Sequence, residues 1–145
     1  MEIKFDASGF EKDIEAAVKK MQEAGAAMNE GATKIIETLT DQIHHESIKR
    51  MPIDEGFLVA SEKTKIEKAF LIKEISGHIY FPANSPASDY ALPMHEHTYN
   101  LGKASQIKQA GQAEIVGRKF LERAWLENLT VIRAYIRMEL KELLK

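Results

Sequence analysis

Apolar residues recur at steps of mostly three or four through the first third of the chain, at Phe10, Ile14, Ala17/Val18, Met21, Ala24, Met28, Ile35, Leu39, Ile43 and Met51. That period places them on one face of an α-helix. Ser8-Gly9-Phe10-Glu11 has the spacing of a capping box and predicts a helix start just after Ser8. Gly25, Asn29 and Gly31 are weak helix formers inside the run. Either one long helix bends there or two helices meet, and a continuous helix is the expectation. Pro52 ends the helix, because proline disfavours helical geometry at the residue before it.

The pattern then changes to alternation. Residues 56–82 read as β-structure: Thr64 and Ile66 alternate with polar neighbours, and Phe70, Ile72 and Glu74 alternate with Leu71, Lys73 and Ile75. Ser76-Gly77 predicts a turn, and His78 to Phe81 a short further strand with an exposed edge. Alternation means one buried and one wet face, as in an antiparallel sheet. A turn-rich loop covers 82–89, and Tyr90 to Met94 reads as a short strand that Pro93 confines to an edge. Residues 100–117 are polar, Gln-rich and punctuated by glycines, which predicts a mobile loop or a short exposed helix.

A last helix is predicted from about Arg118 to Leu144. Its apolar face carries Phe120, Leu121, Ala124, Trp125, Leu129, Ile132, Ile136, Leu140 and Leu143. Arg133, Arg137, Lys141 and Lys145 follow at spacings of four as a basic stripe. The expectation is one α+β domain, with long N-terminal and C-terminal helices packed on a small, mostly antiparallel sheet. Its parts are a helical segment (1–51), a sheet region (52–99), a mobile loop (100–117) and a terminal helix (118–145).

Composition narrows the chemistry. The 145 residues are 44% hydrophobic, enough for one core. The formal net charge of -2 gives no global attraction to nucleic acid or an anionic membrane. With no cysteine, disulfides, thiol catalysis and Cys-type zinc sites are excluded. No apolar run approaches the ~20 residues of a membrane span, and the first residues lack a signal core, so a soluble chain is expected.

Histidines are the best candidate ligands. His44 and His45 are adjacent on the first helix and point in different directions, so they do not share an ion easily. His95-Glu96-His97, if extended, puts both imidazoles on one side, with His78 or Asp89 as a third ligand from elsewhere. Structural or interface roles are the simpler reading, and no metal or cofactor is expected. Ser47 and Ser61 lack a Gly-x-Ser-x-Gly elbow. Asp54-Glu55 and Glu37/Asp41 read as surface charge, and no glycine-rich loop joins a strand to a helix.

Three short segments occur in a fixed order. They are Pro52-Ile53-Asp54-Glu55-Gly56-Phe57-Leu58-Val59-Ala60-Ser61, Tyr90-Ala91-Leu92-Pro93-Met94-His95-Glu96, and Lys119-Phe120-Leu121-Glu122-Arg123-Ala124. Their order resembles the HK97 gp10-like family of phage neck and tail-completion (head-tail joining) proteins. The residues that carry the resemblance are Pro52, Asp54, Gly56, Leu58 and Ser61; Tyr90, Ala91, His95 and Glu96; and Lys119, Phe120, Leu121 and Ala124. Glu55 stands where the family usually has threonine, and His97 departs from its usual turn.

The resemblance implies a structural, non-enzymatic virion part of a tailed phage or prophage, assembled in the host bacterial cytoplasm. Its partners would be neck, connector and tail proteins and further copies in a ring whose channel passes DNA. Interfaces and loops that order on assembly would then carry function. The expected interface residues are Lys103, Gln106, Lys108 and Gln109 of the loop, with Arg133 and Arg137 of the stripe. The edge at His78 to Phe81 is a second candidate. Competing readings are a small non-viral protein-binding module and a metal-dependent enzyme using His95 and His97.

Overall fold

The computed structural model describes residues 2–4, 26–69 and 74–145. Helices pack over a small antiparallel sheet, the α+β class that the patterning predicts. The order is β1 (Glu2–Lys4), α1 (Ala26–Arg50), α2 (Phe57–Ser61), β2 (Lys63–Ala69), β3 (Glu74–Tyr80), α3 (Ala91–Glu96), α4 (Lys103–Ala110), α5 (Phe120–Leu126) and α6 (Leu129–Leu143). The capping box at Ser8, the apolar positions from Phe10 to Met21, Gly25, and the alternation at Phe70 to Lys73 lie outside the described residues.

From Ala26 the first helix is continuous through Asn29 and Gly31. It buries two stripes. Ile35, Leu39 and Ile43 enter the main core, while Thr33, Thr40 and Ser47 form a stripe of small hydroxyl residues beside it. Helix α1 packs on α5, β3, β2 and α6. The core closes around Phe81, Phe120, Leu121 and Ile132.

Strand β3 is the central strand, antiparallel to both β1 and β2. The expected turn at Ser76-Gly77 is instead the middle of β3, with Gly77 opposite Ile66. The glycine serves close approach: a Cβ there would lie 1.9 Å from Thr40 Oγ1, whose hydroxyl donates to Ile36 O at 2.7 Å. Gly77→Ala is therefore expected to cost about 1–3 kcal/mol through overpacking. Adding Thr40→Ala, which removes the obstructing atom, should restore much of that. Urea denaturation of the four-membered mutant cycle checks it, and purely additive effects would contradict the contact. Gly31 differs, because its added Cβ meets Leu143 Cδ1 at 2.2 Å, the far end of a side chain that can rotate away.

Other expectations are corrected. Residues 57–61 are helical, not strand: Gly56 takes φ 84°, and Ala60 N–H donates to Gly56 O at 3.0 Å, closing a helical turn. Leu58 enters the core, but Phe57 is 46% exposed. Tyr90 to Met94 is not a strand; Ala91–Glu96 is helical, with Pro93 in the first turn, where backbone N–H groups have no intrahelical partner. The stretch from His78 to Phe81 is not an exposed edge, since β3 has neighbours on both sides and His78, Ile79 and Phe81 are buried.

Of the two expectations for 100–117, the short helix is the one present: α4 lies between Gly102 and Gly111. The terminal helix is two helices, interrupted at Glu127 and Asn128. Asn128 Nδ2 donates to Ala124 O at 2.9 Å, taking the carbonyl that a continuing helix would give to its backbone N–H.

Candidate interaction surface

The three segments that carry the family resemblance meet in space. Leu58, Ala91, Phe120, Leu121 and Ala124 belong to one buried cluster. Ser61 Oγ accepts from the Ala87 N–H at 3.3 Å, tying the first segment to the turn before the second. The second and third join through Lys119, whose N–H donates to His95 O at 2.6 Å and whose ammonium pairs with Glu96. Lys119 holds a left-handed φ of 57° to start α5, and that ammonium bond, with help from His95, draws the Glu96 carboxyl below its ordinary range.

His95 and His97 do not form a metal pair. His95 is buried at the end of α3 with its ring edge-on to Phe120, centroids 4.8 Å apart, while His97 caps the helix and is exposed. Helical rather than extended backbone separates the two rings. Burial pushes the His95 imidazole down, against a 2.7 Å hydrogen bond to Glu96. His45 Nδ1 reaches Asp41 O at 2.8 Å, whereas His44 Nδ1 reaches Glu62 at 3.1 Å.

Glu62 carried no signal in the sequence. It sits between α2 and β2, is buried, and accepts from Ser47 Oγ at 3.0 Å. Burial pushes its carboxyl up, against the pull of His44 and Ser47. A raised carboxyl contributes most to folding while protonated. That contribution is full below the ordinary value of 4.5 and is lost as pH rises through the raised value. Glu62→Gln, which has no proton to lose, should flatten this part of the stability profile. Urea midpoints from acidic to neutral pH check it; parallel profiles for the two chains would refute the assignment.

Two of the expected interface residues, Lys108 and Gln109, make internal bonds. The last carbonyls of a helix lack intrahelical partners. In α1 they are met by the 100–117 segment: Lys108 Nζ donates to the carbonyls of Ile48 and Met51, Gln112 Nε2 to Lys49 O at 2.6 Å, and Gly117 N–H to Arg50 O at 2.9 Å. The Lys108 charge also complements the helix dipole there, while burial pushes its ammonium down. Gln109 braces the segment itself, bonding Glu114 O at 3.0 Å and accepting from Val116 N–H at 2.6 Å. Lys103, Gln106, Arg133 and Arg137 are exposed, and Gln106 bonds Leu101 O at 2.8 Å.

Beside this cap lies a groove of about 290 Å³, bounded by Pro52 to Leu58, by Tyr90 and Met94, and by Tyr99 to Ser105. Ser105 fixes its floor, accepting from Ile53 N–H at 2.7 Å and donating to Ile53 O at 2.9 Å. Asp54 and Glu55 stand exposed on the rim, and Phe57 presents its ring there. Burial and then those two carboxylates raise the Tyr90 phenol. A shallower hollow of about 560 Å³, sharing Tyr99 and Leu101, is lined by Ile115, Leu126 and the cations Arg118, Lys119 and Arg123.

Among the described residues no helix is long and apolar enough to cross a membrane, and no cluster of three or more His, Cys, Asp or Glu side chains has the placement to hold a metal ion. No family model matches the chain, and no curated protein or solved structure matches it.

Proposed function

We propose that this chain is a structural subunit of a tailed phage or prophage neck, joining head connector to tail and acting through protein interfaces in a ring. The observation that carries this reading is the convergence of the three ordered segments. Residues separated by about thirty positions in sequence pack as one unit in which Leu58, Ala91 and Phe120 share a core and Lys119 bonds both the backbone and the side chain of the second segment. That the three ordered segments form one packed junction is what supports the resemblance. On this reading the protein is assembled in the host cytoplasm and resides at the virion neck, where its neighbours are connector and tail proteins.

The surface supports action through contacts. Phe57, Ile115, Leu126, Val131 and Met138 are each close to half exposed or more, beside charged neighbours, as at sites that take protein partners. The metal-enzyme alternative loses its geometric basis with His95 buried and His97 at the surface.

The test is genetic and direct. A phage or induced prophage lacking this chain should yield filled heads and complete tails that stay separate in electron micrographs. Normal joined virions would reject the neck reading and favour the non-viral binding module. Native mass spectrometry across a concentration series adds the assembly state of the isolated chain.

A further inference from the structure

We infer that successive copies of this chain meet head to tail, with the outward face of α6 of one copy seated in the acidic-rimmed groove of the next. The inference rests on the ring reading and specifies its contact. On α6, Val131 and Met138 are each 56% exposed, one heptad apart with exposed Ala134 between them. At helical spacing Arg137 and Lys141 line one margin of this strip, while Glu139 and Glu142 lie on the other. The strip is an amphipathic helix face with an apolar centre and a basic edge, the form that lies in an apolar groove.

Among the described residues two hollows, the groove at Phe57 and the hollow beside Ile115 and Leu126, have apolar walls to receive it, and charge separates them. The one beside Ile115 and Leu126 presents Arg118, Lys119 and Arg123 against a single Glu122, the wrong sign for the Arg137 and Lys141 margin. The groove at Phe57 presents Asp54 and Glu55 against Lys103, over an apolar wall of Met94, Tyr99 and Leu101. Opposite charge at the margins aligns the partners and rejects the inverted docking.

The two faces are separate surfaces: the groove lies past the end of α1 at Pro52, and the strip runs back along α1 from near Glu46 toward Gly31. Helix α6 runs antiparallel to α1: its start is tied near Glu46 by Asn128 Nδ2, and Leu143 meets Gly31. Lys141 therefore sits near the Gly31 end, whereas the groove opens at Pro52, beyond the other end. At ~1.5 Å per residue these ends are roughly 30 Å apart. Two unlike patches on one chain make a heterologous contact, which closes into a ring when the rotation allows.

The absence of cysteine permits a clean test. Glu55→Cys and Lys141→Cys are both at exposed positions, so neither threatens the core. Mixed and oxidised at high concentration, the two single variants should give mainly the 55–141 linked dimer, and the double variant a ladder of multimers. Predominant 55–55 or 141–141 links, or no link, would overturn the contact. In that event a discrete ring of the unmodified chain by native mass would show that the ring reading survives through other surfaces. Charge reversal gives an independent readout. Asp54→Lys with Glu55→Lys, or Arg137→Glu with Lys141→Glu, should each weaken self-association about tenfold or more at low salt. Mixing the two reversed chains should restore it, because each then offers the other a complementary face. Failure of the mixture to recover would overturn the pairing.

Discussion

Phe120→Ala is expected to destabilise the fold by about 3–5 kcal/mol, the range for removing a fully buried aromatic side chain. Phe120 has no exposed surface, and its ring meets Phe81 and His95 edge-on, with centroids 6.2 Å and 4.8 Å away. The loss combines transfer of the ring to solvent, the cavity left behind, and the edge-to-face contacts. Phe120→Leu, which fills most of the volume, should cost markedly less. Urea denaturation measures both. A second readout reports the mechanism: burial holds the His95 imidazole down, so water entering the Phe120 cavity should let it titrate closer to its ordinary value. An alanine variant as stable as the leucine variant, with an unchanged His95 titration, would show that Phe120 is not the centre of this core.

Arg50→Ala is expected to cost about 2–4 kcal/mol. Breaking a buried ion pair costs about 3–5 kcal/mol, and the half-exposed Glu127 partner reduces that. The Arg50 side chain is 4% exposed and ties together elements distant in sequence. Its guanidinium bonds Glu46 through Nη1 at 2.8 Å and Glu127 through Nε and Nη2 at 2.9 and 2.8 Å. Burial raises the Glu46 carboxyl, but bonds from Lys49 and Arg50 outweigh it and hold the group below its ordinary range. Alanine leaves Glu46 with Lys49 and releases the junction of α5 and α6 from the end of α1. Arg50→Lys keeps the charge and loses the planar fork, so it should recover only part of the stability. Equal stability of the lysine variant and the parent would show that charge alone holds the junction.

The places where the sequence reading went astray share a cause. Gly77 reads as a turn because glycine marks turns locally; its actual use depends on Thr40, thirty-seven positions earlier, approaching the strand. Tyr90 to Met94 reads as a short strand that Pro93 confines to an edge, yet the segment is helical and its first turn accepts the proline. The 100–117 segment reads as a mobile loop or a short exposed helix because its side chains are polar and glycines punctuate it. Those polar groups face the free carbonyls at the end of α1, a demand that exists only once α1 ends beside them. The groove was partly legible, since Asp54 and Glu55 read as surface charge and are exposed.

What the sequence determined by itself was local and periodic: the helical face of Ile35, Leu39 and Ile43, the stop at Pro52, and the apolar face of Phe120 and Leu121. Backbone sterics and the burial of one helix face act over a few residues, so their marks are readable in a short window. The tertiary structure alone decided the central position of β3, the buried Glu62, the Arg50 network, the capping of α1 by Lys108, and the separation of an acidic groove from a basic helix face. Each of these depends on which groups come together after the chain has closed on itself, when desolvation makes partners obligatory for polar groups that water would otherwise satisfy.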